Sequence, residues 1–248
     1  MNGIQIYLTP AAGKTLIAKA LVARPEVQDA LHNHTIVLIT GTTNADLAEE
    51  LLIAVGAGFE KRGFYRGITK PAAARSDMPQ RQIDVVIEKG VPREGLTIFD
   101  VSEKLTKGDI IFKGANAVHV PSRTAGILIG HPYAGTIVAC QAAAIGRRAT
   151  LIHPVGLEKR VDQPIYELAA LVNAPDQTGA RLYPAAGTPY TELDALRDLC
   201  GVEATLIAAG GVCGYEGGVY LQCCGDAEAL ARLQKVYAEV KDAPAYEL

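Results

Sequence analysis

Three short runs, TIVLIT (35–40), DIIFKGA (109–115) and TLIHPVG (150–156), carry four, three and two consecutive Val, Ile, Leu or Phe residues after their first residue. A strand with one wet face alternates apolar and polar residues, so a run without alternation predicts a strand covered on both sides. Two further runs, DVVIEKG (84–90) and AGILIGHP (125–132), read the same way. Between them lie helical patterns. In NADLAEELLIAVG (44–56), Leu47, Leu51 and Val55 recur at i, i+4 and i+8, and GTIVACQAAAIGRRA (135–149) forms a second helical stretch. Apolar strands alternating with helices predict an α/β fold, a mostly parallel sheet flanked by helices in an open three-layer arrangement.

After about residue 180 the rhythm changes. ARLYPAA is strand-like, YTELDALRDLCG helical, ATLIAAGGVCG and GVYLQCCG a hairpin, and DAEALARLQKVYAEVK a closing helix with Asp226 as N-cap. This order predicts a small C-terminal ferredoxin-like α+β unit. The expected division is 1–180 for the main α/β domain and 181–248 for the small subdomain. The segment 57–82 mixes Gly, Pro, Arg and Lys, and reads as a long excursion or flap.

Composition narrows the partners. Of 248 residues 49% are hydrophobic, ample for a core, and the net charge of −3 argues against a nucleic-acid surface. No run approaches the ~20 apolar residues of a membrane span, and the N-terminus lacks a signal pattern. The five cysteines show no CxxC spacing and read as reduced. The expectation is a cytoplasmic protein with no membrane partner and a small-molecule ligand.

Gly13-Lys14-Thr15 resembles the end of a P-loop. That motif needs a glycine five positions before Gly13, where Leu8 stands, and Pro10 removes a donor. The better reading is a helix with Thr9 as N-cap and Pro10 at its first position. The stronger signal is TIVLITGTTNADL. A buried strand ends at Thr40 and a helix starts almost at once, so Gly41, Thr42, Thr43 and Asn44 can present N–H and hydroxyl donors to an anion. Thr43 is the expected N-cap, with Asp46 three residues on. Asp46, Glu49 and Glu50 would oppose an anion if they faced it.

Lys113 ends a strand beside Gly114, Asn116 and His119, and is the candidate to neutralise developing charge. Lys89-Gly90 is a second such pair. His131 precedes Gly135 and Thr136 at a helix start, a second ligand cradle, and His119 or His131 is the candidate proton carrier. The histidines lack the spacing of a metal site, and no GxSxG or GxGxxG follows a strand, so neither metal nor cofactor is expected.

The stretch TGTTNADLAEEL, followed by GDIIFKGANAVHV, resembles the superfamily of ribose-5-phosphate isomerases, glucosamine-phosphate deaminases and CoA-transferase-like proteins. The resemblance implies that Thr40 to Thr43 bind phosphate and that Lys113 to Asn116 match the second signature. The acidic residues of the isomerase signature are replaced by Asn116 and Val118. The glycine-rich lysine loop with its glutamate has no counterpart in SRTAGILIGHPYAGT. The expectations are therefore a phosphorylated- or carboxylated-metabolite enzyme, isomerase- or transferase-like; a non-catalytic ligand sensor; and, third, a homo-oligomer joined through the glycine-rich hairpin at 210–218.

Overall fold

A computed structural model describes residues 2–66 and 82–246. The part of the expected flap from 67 to 81 lies outside the described residues. The chain opens with β1 (Asn2–Leu8), α1 (Pro10–Ala23), α2 (Pro25–Asn33), β2 (Thr35–Leu38) and α3 (Thr42–Ala54). Next come β3 (Val85–Glu88), β4 (Val91–Pro92), α4 (Ile98–Val101), β5 (Ile110–Phe112), β6 (Ala117–His119) and β7 (Thr124–Ile129). Then follow α5 (Thr136–Gln141), β8 (Thr150–Pro154), α6 (Ile165–Val172), β9 (Arg181–Ala185) and β10 (Thr188–Tyr190). The chain closes with α7 (Glu192–Cys200), β11 (Glu203–Ala209), β12 (Val219–Gly225) and α8 (Ala227–Val240).

The fold is mixed α/β. Its central sheet has the order β10-β8-β5-β2-β3-β4, and β10, β8, β5 and β2 run parallel. Period-two geometry explains why these strands are apolar throughout. Ile36 and Leu38 join one core with Phe112, α1 and α3, while Val37 and Ile39 join a second core with Ile111, Ile137 and Cys140. The N-cap of α1 forms as expected, Thr9 Oγ1 accepting from the Ala12 N–H at 3.1 Å with Pro10 opening the helix.

Two of the five expected buried strands take other partners. β3 runs antiparallel to β2 and turns back at once into β4. Lys89 and Gly90 both have positive φ, 49° and 76°, the geometry of a two-residue hairpin turn. Lys89 therefore shapes a turn. β7 lies in a separate antiparallel sheet of order β6-β7-β9. Only four residues join β6 to β7, too few for a parallel crossover, and Arg123 with φ 49° completes the reversal.

The segment ARLYPAA forms β9 and pairs with β7, not with the C-terminal hairpin. That hairpin, β11 with β12, forms as expected, and its third strand is β1, paired with β12 along all seven residues. The small sheet, of order β1-β12-β11, thus draws on both ends of the chain.

Candidate anion-binding site

The carboxyl ends of the parallel strands carry the site. Beyond β2, Thr40 is buried and committed to structure: its N–H and its hydroxyl both donate to Asp84 Oδ1, at 3.0 and 2.8 Å. Asp84 also accepts from the Ile98 N–H at 3.2 Å and faces the Arg66 guanidinium at 3.2 Å. Asn44 is fully buried and donates from Nδ2 to the carbonyls of Ile39 and Phe112, at 2.8 and 3.0 Å, tying β2 to β5. Its Oδ1 has no hydrogen-bond partner among the described residues. Thr40 and Asn44 thus brace the turn.

The helix begins two residues earlier than expected. Gly41 occupies the cap, Thr42 is the first helical residue, and Thr43 is the second. No capping box forms, because Asp46 is engaged elsewhere: it accepts from the Thr15 hydroxyl at 3.0 Å and pairs with Lys61 at 3.1 Å. Lys61 also holds Glu49 at 2.8 Å. Two of the three carboxylates that would repel an anion are therefore matched by a cation.

The hydroxyls of Thr42 and Thr43 are each met by a lysine. Lys14 Nζ, from α1, donates to Thr42 Oγ1 at 3.3 Å, and Lys159 Nζ donates to Thr43 Oγ1 at 3.3 Å. Lys159 belongs to a single 3₁₀ turn, Leu157–Lys159, beyond the carboxyl end of β8. Burial holds the Lys14 ammonium below the usual lysine range, and the neighbouring charge of Lys159 adds to this. Two ammonium groups, two hydroxyls and the positive end of a 13-residue helix converge here.

Two carboxyl groups complete the surroundings. Glu158 lies 3.8 Å from the Lys159 ammonium. Glu192, the first residue of α7, is 2% exposed, and its Oε2 accepts from the Leu157 N–H at 2.9 Å. Burial pushes the Glu192 carboxyl up to about 8, and the Glu158 carboxylate pushes in the same direction. The other side of Glu192 rests on α1, where a Cβ on Gly13 would collide with its carboxyl. The β11–β12 loop arches over this region, with Gly217 (φ 81°) facing Pro10 and Glu158. Tyr7 pins the loop, its hydroxyl donating to the carbonyls of Gly210 and Tyr215 at 3.1 and 2.7 Å.

The other expected residues are distributed differently. Lys113 is buried beyond β5, donates to Thr136 Oγ1 at 3.1 Å, and is held below the usual lysine range by burial. Gly135, with φ 67°, caps the six-residue helix α5 that Thr136 begins. Gly114 packs beside the Pro154 carbonyl. Asn116 is exposed and binds its own sheet, Oδ1 accepting from the Leu128 N–H at 3.0 Å. His119 bonds Ser122 within a tight turn, Nδ1 to Oγ at 2.6 Å. His131 is exposed, and its Nδ1 accepts from the Tyr133 N–H at 3.2 Å. The structure therefore joins Thr42 and Thr43 to lysines and Lys113 to Thr136, while His119 and His131 serve local turns and Asn116 braces β7.

Sequence reasoning missed Lys14, Glu158, Lys159 and Glu192. Lys159 carried a usable signal, since it follows an apolar strand much as Lys113 does. Lys14 was set aside with the P-loop whose spacing fails, yet its side chain reaches the helix start of a different segment. Among the described residues no group of three His, Cys, Asp or Glu could hold a metal ion, and no helix is long and apolar enough to cross a membrane. No family model, curated protein or solved structure matches the chain.

Proposed function

We propose that this protein binds a phosphorylated or carboxylated small metabolite at the amino end of α3. The observation that carries the reading is the convergence of Lys14 on Thr42 and Lys159 on Thr43. Two lysines whose hydrogen bonds end on neutral hydroxyls retain ammonium protons for an incoming anion. The helix end adds backbone N–H groups and a partial positive charge. The position fits the rule that ligands of open α/β sheets sit beyond the carboxyl ends of the strands.

The scaffold in this reading is an open three-layer sheet with a ferredoxin-like C-terminal unit. The TGTT turn and its helix support membership of the isomerase, deaminase and CoA-transferase-like superfamily, and with it isomerase- or transferase-like chemistry. Lys113 is the group we assign to charge developing on the reacting part of the ligand. A second reading, a non-catalytic ligand sensor on the same fold, draws on the placement of His119 and His131 in local turns, where each already has a partner.

A thermal-shift panel of sugar phosphates, carboxylates, CoA esters and inorganic phosphate tests the site. A ligand at 100 times its dissociation constant raises stability by about 2.7 kcal/mol, a readily measured melting shift. Lys14→Ala and Lys159→Ala should each weaken binding by about tenfold or more, the loss expected for one charge-assisted contact. Undiminished binding in both variants contradicts the assignment. Turnover of the stabilising compound separates the enzyme from the sensor.

A further inference from the structure

Glu192 donates nothing to the Thr42–Thr43 cradle, and its surroundings are unusual for a glutamate. A carboxyl at the first position of a helix ordinarily faces water and complements the helix dipole. This one is buried instead, between α1 and the Leu157–Lys159 turn. Its two contacts fall one residue before Lys14 and two residues before Lys159. Oε2 accepts from the Leu157 N–H, while the rest of the carboxyl occupies space that only glycine at position 13 leaves open.

We propose that Glu192 is the positioning residue of the anion site: its uncharged carboxyl links the two backbone segments that carry Lys14 and Lys159, and leaves both ammonium groups for the ligand. This rests on the reading of α3 as an anion site. The charged groups around Glu192 are Lys14 from α1, and Glu158 and Lys159 from the 3₁₀ turn. The Asp46 carboxylate of α3 also favours the charged form of Lys14. On its own helix, Asp194 is occupied by Arg123 and Arg197.

Among the described residues no cation forms an ion pair with Glu192. Burial without such a partner disfavours its charged form, as does the nearby Glu158 carboxylate. Burial accordingly moves its titration to about 8. Ionisation would add a buried negative charge to the half-buried Glu158 carboxylate beside the two lysines. The ammonium groups would then gain a further carboxylate partner beside Glu158, and a dianion would have to displace it. Neutral Glu192 sets the site for a doubly charged ligand; ionised Glu192 closes it.

Calorimetric titration with sulfate, whose charge is constant from pH 6.5 to 9.5, reads this directly. Glu192→Gln keeps the size and the acceptor for the Leu157 N–H but cannot ionise. Wild type and variant should bind equally at pH 6.5. By pH 9.5 wild-type affinity should fall about tenfold further than that of the variant. Identical profiles in the two proteins overturn the proposal, as does a variant already weakened tenfold at pH 6.5. Absence of sulfate binding in both proteins at every pH contradicts the anion site itself, and Glu192's role with it. An infrared difference spectrum, wild type minus variant, gives a reading independent of ligand. A protonated-carboxyl band at pH 6.5 that vanishes by 9.5 is expected, and its absence at pH 6.5 overturns the uncharged state.

Discussion

The residue that departs furthest from its usual behaviour is Glu192. Its carboxyl titrates near 4.5 in an unfolded chain and at about 8 in the folded protein. The folded state therefore holds a proton that the unfolded state has released between these values. Stability from this group is complete below pH 4.5 and is lost as pH rises to about 8, with no further change above. Glu192→Gln should remove the effect, so urea melts of the two proteins should diverge through this window by a few kcal/mol in favour of the variant. Asp84 is the opposite case. It accepts from three donors and faces Arg66, and Asp84→Ala would strand the buried N–H groups of Thr40 and Ile98. We expect a loss of about 3–5 kcal/mol in urea melts, because two buried N–H groups lose their acceptor while the half-buried Arg66 loses its counter-ion. Neither role was legible in the sequence. A glutamate after Thr191 reads as an exposed helix start, and the aspartate that opens DVVIEKG reads only as the beginning of a strand. Burial of a polar side chain depends on what the rest of the chain places over it.

Among the elements, the apolar runs located strands and the i, i+4 spacing located α3, because burial on both faces leaves a direct trace in composition. Partner choice leaves a fainter one. DVVIEKG and DIIFKGA look alike, yet β3 is antiparallel to β2 while β5 is parallel. The difference lies in the chain that follows: Lys89-Gly90 forms a tight reversal, whereas β5 continues into the β6–β7 hairpin. The helix start at Gly41 rather than Thr43 reflects a similar competition, since Asp46 finds Thr15 and Lys61 and leaves the capping box. By contrast, the Thr9 cap of α1 was legible because every residue it needs is adjacent. Thr9→Ala should cost about 1 kcal/mol in urea melts.

For the molecule as a whole, the proposed anion site gathers residues 14, 42, 43, 159 and 192, contributed by three helices and one turn. No short motif could announce such a site, which is why only its threonines stood out in the sequence. The same long-range construction runs through the fold, where β1 pairs with β12 and brings Tyr7 against the loop that arches over Pro10 and Glu158. Hydrogen exchange, with and without inorganic phosphate, locates the ligand without assuming its identity. Protection should rise at the amides of the first turn of α3, residues 42 to 46, and in the turn from 157 to 159. Protection confined to other segments, or a profile unchanged by saturating phosphate, contradicts the assignment of this helix end as the site.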